Sequence, residues 1–335
     1  MRVDYCSVAL SQLRAPPPTA QPRTEGVPTS LELEGERLLP TARFWSSFYR
    51  EFEMAPETFN YFTHEEVFSR LVEKRPNERV RLSVERREGK PPRLLAVSNP
   101  HHPLLGYAAA VDLIREHGGT DISYDEGVVT SWHTPRSGEL PFQIGPDQFA
   151  NRYTMESPVD GLGDPRLFLA LLRQICTNGA VAYTLAFRSD LRVGQDVEHT
   201  VRRALAQFDH GQGFAALRQR FESAQTSWAS VNEALKLRKV LTGVPDKTDG
   251  LVARLDRTAG DVRGLYGLAN LDTLSVKRQR VLPTQCRVYD LLNFASEVAT
   301  HHAPMSHRRR LQAYIGSMVA SEYDLEGTAD KVPEF

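Results

Sequence analysis

The stretch "MESPVDGLGDPRLFLALLRQICTNGAV", Met155 to Val181, decides how the middle of the chain is read. Its first part, "ESPVDGLGDP", has the Pro, Asp-Gly and Gly-Asp-Pro punctuation of a loop between two extended segments. The apolar run "RLFLALLRQIC" has the length of a buried strand or of a short buried helix, and periodicity does not separate the two. We take the strand, because Asn178 and Gly179 then supply a turn: both residue types tolerate the positive φ that a reversal needs.

Working outward, the residues before this stretch read as a β-rich block. It comprises "DISY", a turn at Asp125 to Gly127, "VVTSWH" with Val128, Thr130 and Trp132 on one face, "PFQI" and "FANRYTME". Earlier, "RVRLSVER" alternates Val80, Leu82 and Val84 with polar neighbours, and "RLLAVS" reads as its hairpin partner. Three helices are predicted around these strands. One is capped by Thr41 and buries Phe44, Trp45, Phe48 and Phe52; one opens on Thr63 with Glu66 three residues on; one runs through "HPLLGYAAAVDLIREHGG" to the stop at Gly118 and Gly119.

From about Glu198 the pattern is helical. Apolar stripes run through Val201, Leu205 and Phe208, then Leu217, Phe221, Ala224 and Trp228, with a break at "HGQG". "SVNEALKLRKVL" and, more weakly, Leu251 to Leu268 continue the pattern. Val288, Leu291, Leu292, Ala295 and Val298 mark a further helix, and Leu311, Tyr314, Ile315, Met318 and Val319 another, starting from Ser306.

The fold class is α+β, an antiparallel sheet from the central third packed with helices and followed by a mostly helical C-terminal half. Residues 1–38, which include Pro16-Pro17-Pro18, read as a disordered Pro-rich tail. Residues 39–195 read as the α+β core, 196–322 as a helical region packed on it, and 323–335 as an acidic flexible tail.

A formal net charge of -1 leaves no global basic footprint, so nucleic-acid binding would need a local patch. Cys6, Cys176 and Cys286 lie far apart with no C-x-x-C spacing, which points to reduced thiols and a cytoplasmic protein. The first residues lack a secretory apolar segment, and "LFLALL" is far too short to span a bilayer, so no membrane partner is expected.

Two groups of residues could carry chemistry. Glu156, Asp160, Arg173 and Cys176 cluster in the opening stretch, where a thiolate with a histidine base, or a carboxylate pair, would make an enzyme site. The competing reading is preferred: a buried thiol beside the Asn178-Gly179 turn, and Asp160 as a turn former. The second group is basic: Lys277, Arg278, Arg280, Arg308, Arg309 and Arg310, extended by Arg202 and Arg203 if their helix packs alongside. Histidines pair at His101-His102 and His301-His302, but neighbours on a helix diverge by about 100° and suit one metal poorly, so no metal or other cofactor is expected.

Several pieces together resemble the phage and plasmid-like domain of unknown function 932 family. They are "ESPVDG" from Glu156, "LLRQICTNGAV" from Leu171, "VEHTVRRAL" from Val197 and "YDLLNFASEVATHH" from Tyr289, with "TARFWSSF" and "YFTHEEVFSRL" similar to versions on bacterial chromosomes. The series covers roughly residues 43–324. Asn293-Phe294-Ala295-Ser296 departs from the family's Asn-Ala-hydrophobic-Thr, so only Asn293 carries over. The resemblance implies a gene carried by mobile elements and implies no established reaction. Joined to the basic residues, it gives the leading expectation: a non-catalytic protein that binds the phosphate backbone of single- or double-stranded DNA in replication or recombination, in a homo-oligomer. An enzyme at the opening stretch, and an assembly protein without nucleic acid, are the alternatives.

Overall fold

The computed structural model describes residues 1–16, 26–135, 142–145, 147–173, 180–188, 196–207, 211–244, 248–258, 283–304, 307–308, 311–312 and 314–315. Helices and strands are both abundant, and the protein is α+β. Two compact units divide the chain, each drawn from three segments: 1–131, 155–166 and 188–206 form the first; 132–154, 167–187 and 207–335 form the second. The division therefore does not follow the single boundary expected at residue 195.

The first unit is built on a curled, mixed sheet. Its strands are β1 (Arg2–Ala9), β2 (Leu13–Arg14), β3 (Leu31–Leu33), β4 (Glu36–Pro40), β5 (Arg79–Arg86) and β6 (Arg93–Ser98), in the order β1-β5-β6-β4-β3-β2. The two end strands, β1 and β2, are joined by one 3-10 turn, Leu10–Gln12, so the sheet has to bend back on itself. β1 runs antiparallel to β5, with Arg2 opposite Arg86 and Ala9 opposite Arg79, whereas β4 pairs β6 in parallel through Leu39 and Pro40. A tight reversal at Glu34 (φ 51°) and Gly35 (φ 84°) joins β3 to β4, two left-handed residues as a two-residue hairpin turn requires.

These strands correct the expectation of a disordered tail over residues 1–38. Val3, Val8, Leu10, Leu13, Leu31, Leu33 and Leu38 are all buried. Val8, Leu10, Leu13, Leu31, Leu33 and Leu38 join one core cluster, and Val3 packs with Leu95 and Ala96 in another. The Pro-rich residues 17–25 lie outside the described part, as do the acidic residues 323–335.

Helix α1 (Ala42–Glu51) fills this core. Thr41 accepts a hydrogen bond from the Phe44 N–H at its start, and Phe44, Trp45 and Phe48 are buried on the face turned to the sheet. Phe52 follows, its ring 4.7 Å from that of Phe48. Each aromatic ring taken from water contributes about 1.5–3 kcal/mol before conformational entropy is set against it. The short α2 (Thr58–Tyr61) and α3 (His64–Lys74) complete the layer, the latter opened by a reciprocal Thr63–Glu66 capping box. Helix α4 (Tyr107–Glu116) and the strands β7 (Thr120–Asp125) and β8 (Val128–His133) follow.

The remaining strands are β9 (Phe142–Ile144), β10 (Asp147–Pro158), β11 (Arg166–Arg173) and β12 (Ala180–Arg188). Hydrogen bonding orders them β12-β11-β10-β8-β7, with β9 beside β10. The described part of the apolar run, Arg166–Arg173, is therefore strand. It begins at Arg166, directly after the Pro and Gly punctuation.

Helix α5 (Val197–Gln207) belongs mainly to the first unit. In the second unit, α6 (Gly211–Ala224), α7 (Val231–Leu241) and α8 (Thr248–Thr258) surround α9 (Val288–His301). Leu291, Leu292, Phe294, Ala295, Val298 and Ala299 of α9 are all buried, so this helix is covered on more than the one stripe that its sequence predicts. Phe149, Phe221, Leu237 and Leu241 pack into the same cluster. A two-stranded ribbon, β13 (Trp228–Ser230) with β14 (Pro283–Arg287), leads into α7 and α9. Ser230 and Glu233 form a capping box at the start of α7.

Candidate functional site

The loop after β10, residues 159–165, carries the Asp-Gly pair and is held down at several points in the first unit. Asp160 is fully buried. Its Oδ2 is bonded by Nε of Arg43, from the first turn of α1, and its Oδ1 accepts from the Leu162 N–H at 3.1 Å. The Ser83 hydroxyl donates to its carbonyl at 2.8 Å, and the Tyr5 hydroxyl donates to the neighbouring Val159 carbonyl at 2.7 Å. Burial pushes the Tyr5 hydroxyl up to about 12, since a phenolate there would lose its water.

Two glycines make this contact geometry available. Gly127, at φ 89° in the β7–β8 turn, lies so close that a Cβ would stand 2.8 Å from that of Asp160. Gly161, at φ 83°, would put a Cβ 2.9 Å from the Ser98 hydroxyl. Asp160-Gly161 is therefore turn chemistry, with the carboxylate engaged by an arginine and a backbone N–H.

Beside this loop lies a cavity of about 370 Å³, lined by Arg50, Glu51, Ser98, Asn99, His101, His102, Gly161 and Leu162. Three pieces of chain meet at it: the end of α1, the end of β6 with the turn that follows, and the 161–162 segment. The turn is fixed from below by Arg81, whose Nη2 donates to the carbonyls of Pro100 and His102. Burial holds the Arg81 guanidinium below its ordinary value. The His101 N–H is taken by Asn99 Oδ1 at 2.8 Å.

Not every polar atom here is satisfied. Ser98 is only 6% exposed and its hydroxyl has no hydrogen-bond partner among the described residues; Nη1 of Arg81 and Oδ1 of Asp164 are in the same condition. The Asp164 Oδ1 lies 4.0 Å from Nε2 of His102, beyond hydrogen-bond reach but close enough for attraction when the imidazole is protonated. Buried polar groups are seldom left unpaired, because each costs about 1–3 kcal/mol.

The residues singled out in the sequence fare unequally. Glu156 is half-buried in β10, and Asp160 is bound as described. Arg173 ends β11, but its side chain and Cys176 lie outside the described part, so the enzyme quartet is not brought together by the described residues. Of the basic set, Lys277, Arg278, Arg280, Arg309 and Arg310 also lie outside it. Arg202 bridges Glu116 at 3.1 Å and Glu198 at 2.9 Å, holding the Glu116 carboxyl below its usual range. Arg203 is exposed on α5. Arg308 donates at 2.8 Å to the carbonyl of Ala299, closing the end of α9.

Arg43, Arg81, Ser98 and Asp164 escaped the sequence reading, since no spacing joins them. The His101-His102 pair and the Asp160-Gly161 turn were the sequence signals of this region.

A scan of protein-family models, a search of curated proteins and a search of solved structures each find no match to the chain. Among the described residues no helix is long and apolar enough to cross a membrane, and no three His, Cys, Asp or Glu side chains group as metal ligands would.

Proposed function

We propose that the chain is a ligand-binding protein whose first unit takes a small polar molecule in the cavity between the end of α1, the turn at residues 99–102 and the 161–162 segment. One observation carries the reading: the cavity is lined by the polar side chains of Arg50, Glu51, Asn99, His101 and His102, which offer a polar ligand hydrogen-bond partners from two pieces of chain. The volume, about 370 Å³, falls at the low end of ordinary small-molecule sites. The polar lining supports a hydrogen-bonding ligand over an apolar one.

The DNA-binding expectation ranks below this. Arg202 and Arg308 already have protein partners, which leaves Arg203 as the exposed cation among the described members of the basic set.

Asn99→Trp provides the test. Asn99 is exposed on the cavity rim, so an indole there should block entry at the cost of one turn hydrogen bond, the one its Oδ1 accepts from the His101 N–H. In a ligand-observed NMR screen of neutral and anionic polar fragments, hits on the wild-type protein should vanish in the variant. Hits that persist unchanged in the variant would place binding elsewhere and overturn the assignment.

A further inference from the structure

Resting on that reading of the cavity, we infer that the group it recognises is a phosphate monoester carried by a small molecule. The inference comes from the donors on the lining. Arg50 stands at the end of α1, and His101 and His102 on the turn that follows β6. These three side chains match three terminal phosphate oxygens better than a planar carboxylate, which presents two.

The charge balance agrees. Glu51 on the lining is set against Arg50, and Asp164 lies near His102, while Asp160 is already bonded to Arg43. Arg81 remains, its guanidinium clamped under the turn, with an Nη1 that has no described partner lying 3.7 Å from where a Gly161 Cβ would stand. It adds a partly buried positive charge beside the 161–162 segment, with two neutral carbonyls as its described acceptors. A partly buried guanidinium favours an anion nearby more strongly than a fully exposed one does. Gly161 also has a role here. Any side chain at that position would fill the space against Ser98 and Arg81.

The experiment is isothermal titration of inorganic phosphate into the full chain in chloride buffer at neutral pH, with Arg50→Ala and Asn99→Trp alongside and acetate as the planar control. Circular dichroism establishes that each variant is folded. Phosphate should bind saturably, about tenfold more weakly in Arg50→Ala, as loss of a charge-assisted hydrogen bond implies. Binding should be lost in Asn99→Trp and weaker for acetate than for phosphate. If fragments still bind in an Asn99→Trp-sensitive way but phosphate neither binds nor displaces them, the phosphate inference fails and the cavity reading stands. If no ligand responds to Asn99→Trp, both fail. Acetate binding as tightly as phosphate would overturn the choice of anion. Displacement of phosphate by an unphosphorylated single-stranded oligonucleotide at lower concentration would overturn the small-molecule assignment in favour of nucleic acid.

Discussion

The two units bury carboxylates by different means. In the first, Glu85 is 1% exposed and meets Arg87 Nε at 2.8 Å and Arg93 Nη1 at 3.4 Å; Arg93 in turn reaches Glu126 at 2.5 Å, beside the glycine that packs on Asp160. Asp160 itself pairs with Arg43. These arginines keep roughly a third of their side chains in water. In the second unit, Asp147 accepts from the Tyr289 hydroxyl at 2.5 Å and Glu233 from the Ser230 N–H at 2.6 Å. The difference teaches where charge is used as a fastener. Ion pairs with one wet end tie strands and a loop of distant sequence together in the first unit. Hydroxyl and backbone donors secure helix starts and a strand in the second unit, where the packing is dominated by α9.

The largest expected effect breaks the ionic side of this comparison. Asp160→Ala removes the carboxylate that joins Arg43 to the loop, and should cost about 3 kcal/mol, the low end for a buried pair because Arg43 can turn to water. Urea unfolding measures the cost. Hydrogen exchange should place the loss in residues 1–131 while α9 keeps its protection. Equal loss in both units would show that the loop stabilises more than its own unit.

Alkali should act on the same region next. Tyr5 has its folded value raised from the ordinary 10.0 to about 12, so its contribution is fully present below pH 10 and disappears as pH rises toward 12. A thermal midpoint that falls through this window, and falls less in Tyr5→Phe, would bear this out.

The second unit's counterpart is Tyr289→Phe, which leaves the buried Asp147 short of a donor and should cost about 1–2 kcal/mol, seen as a lower urea midpoint. No shift would mean that Asp147 is satisfied without Tyr289. The smallest effect is Arg202→Ala. Its pairs with Glu116 and Glu198 are exposed, and the thermal midpoint at physiological salt should stay at the wild-type value.

How much of this was legible in the sequence depended on whether the cause was local. Thr41, Thr63 and Gly118 act within a few residues of themselves, and the helices they bound were readable from them. The β5–β6 hairpin was readable because Val80, Leu82 and Val84 alternate. Strand β1 was not, since its partner β5 begins only at Arg79 and its own apolar positions are thinly spaced. Ser83 and Glu85 look like the wet face of β5, yet both are buried, one bonded to Asp160 and the other to arginines. The cavity is harder still. Arg43, Arg81, Ser98 and Asp164 converge only after the sheet has curled, so no spacing in the chain announces them. Asp160-Gly161 did announce a turn, though not that the turn would be anchored by α1.

The long reach of these contacts bears on the order in which the protein can be completed as it is made. Tyr5 bonds a carbonyl 154 residues further on, and Arg43 bonds a carboxylate 117 residues further on. At a synthesis rate of about 5–20 residues per second, Tyr5 waits roughly 8–30 s for its acceptor to be made. Strand β1 meanwhile can pair with β5 well before the 159–165 loop exists. While those acceptors are missing, the Tyr5 hydroxyl and the Arg43 guanidinium of a growing chain have only water to bond to.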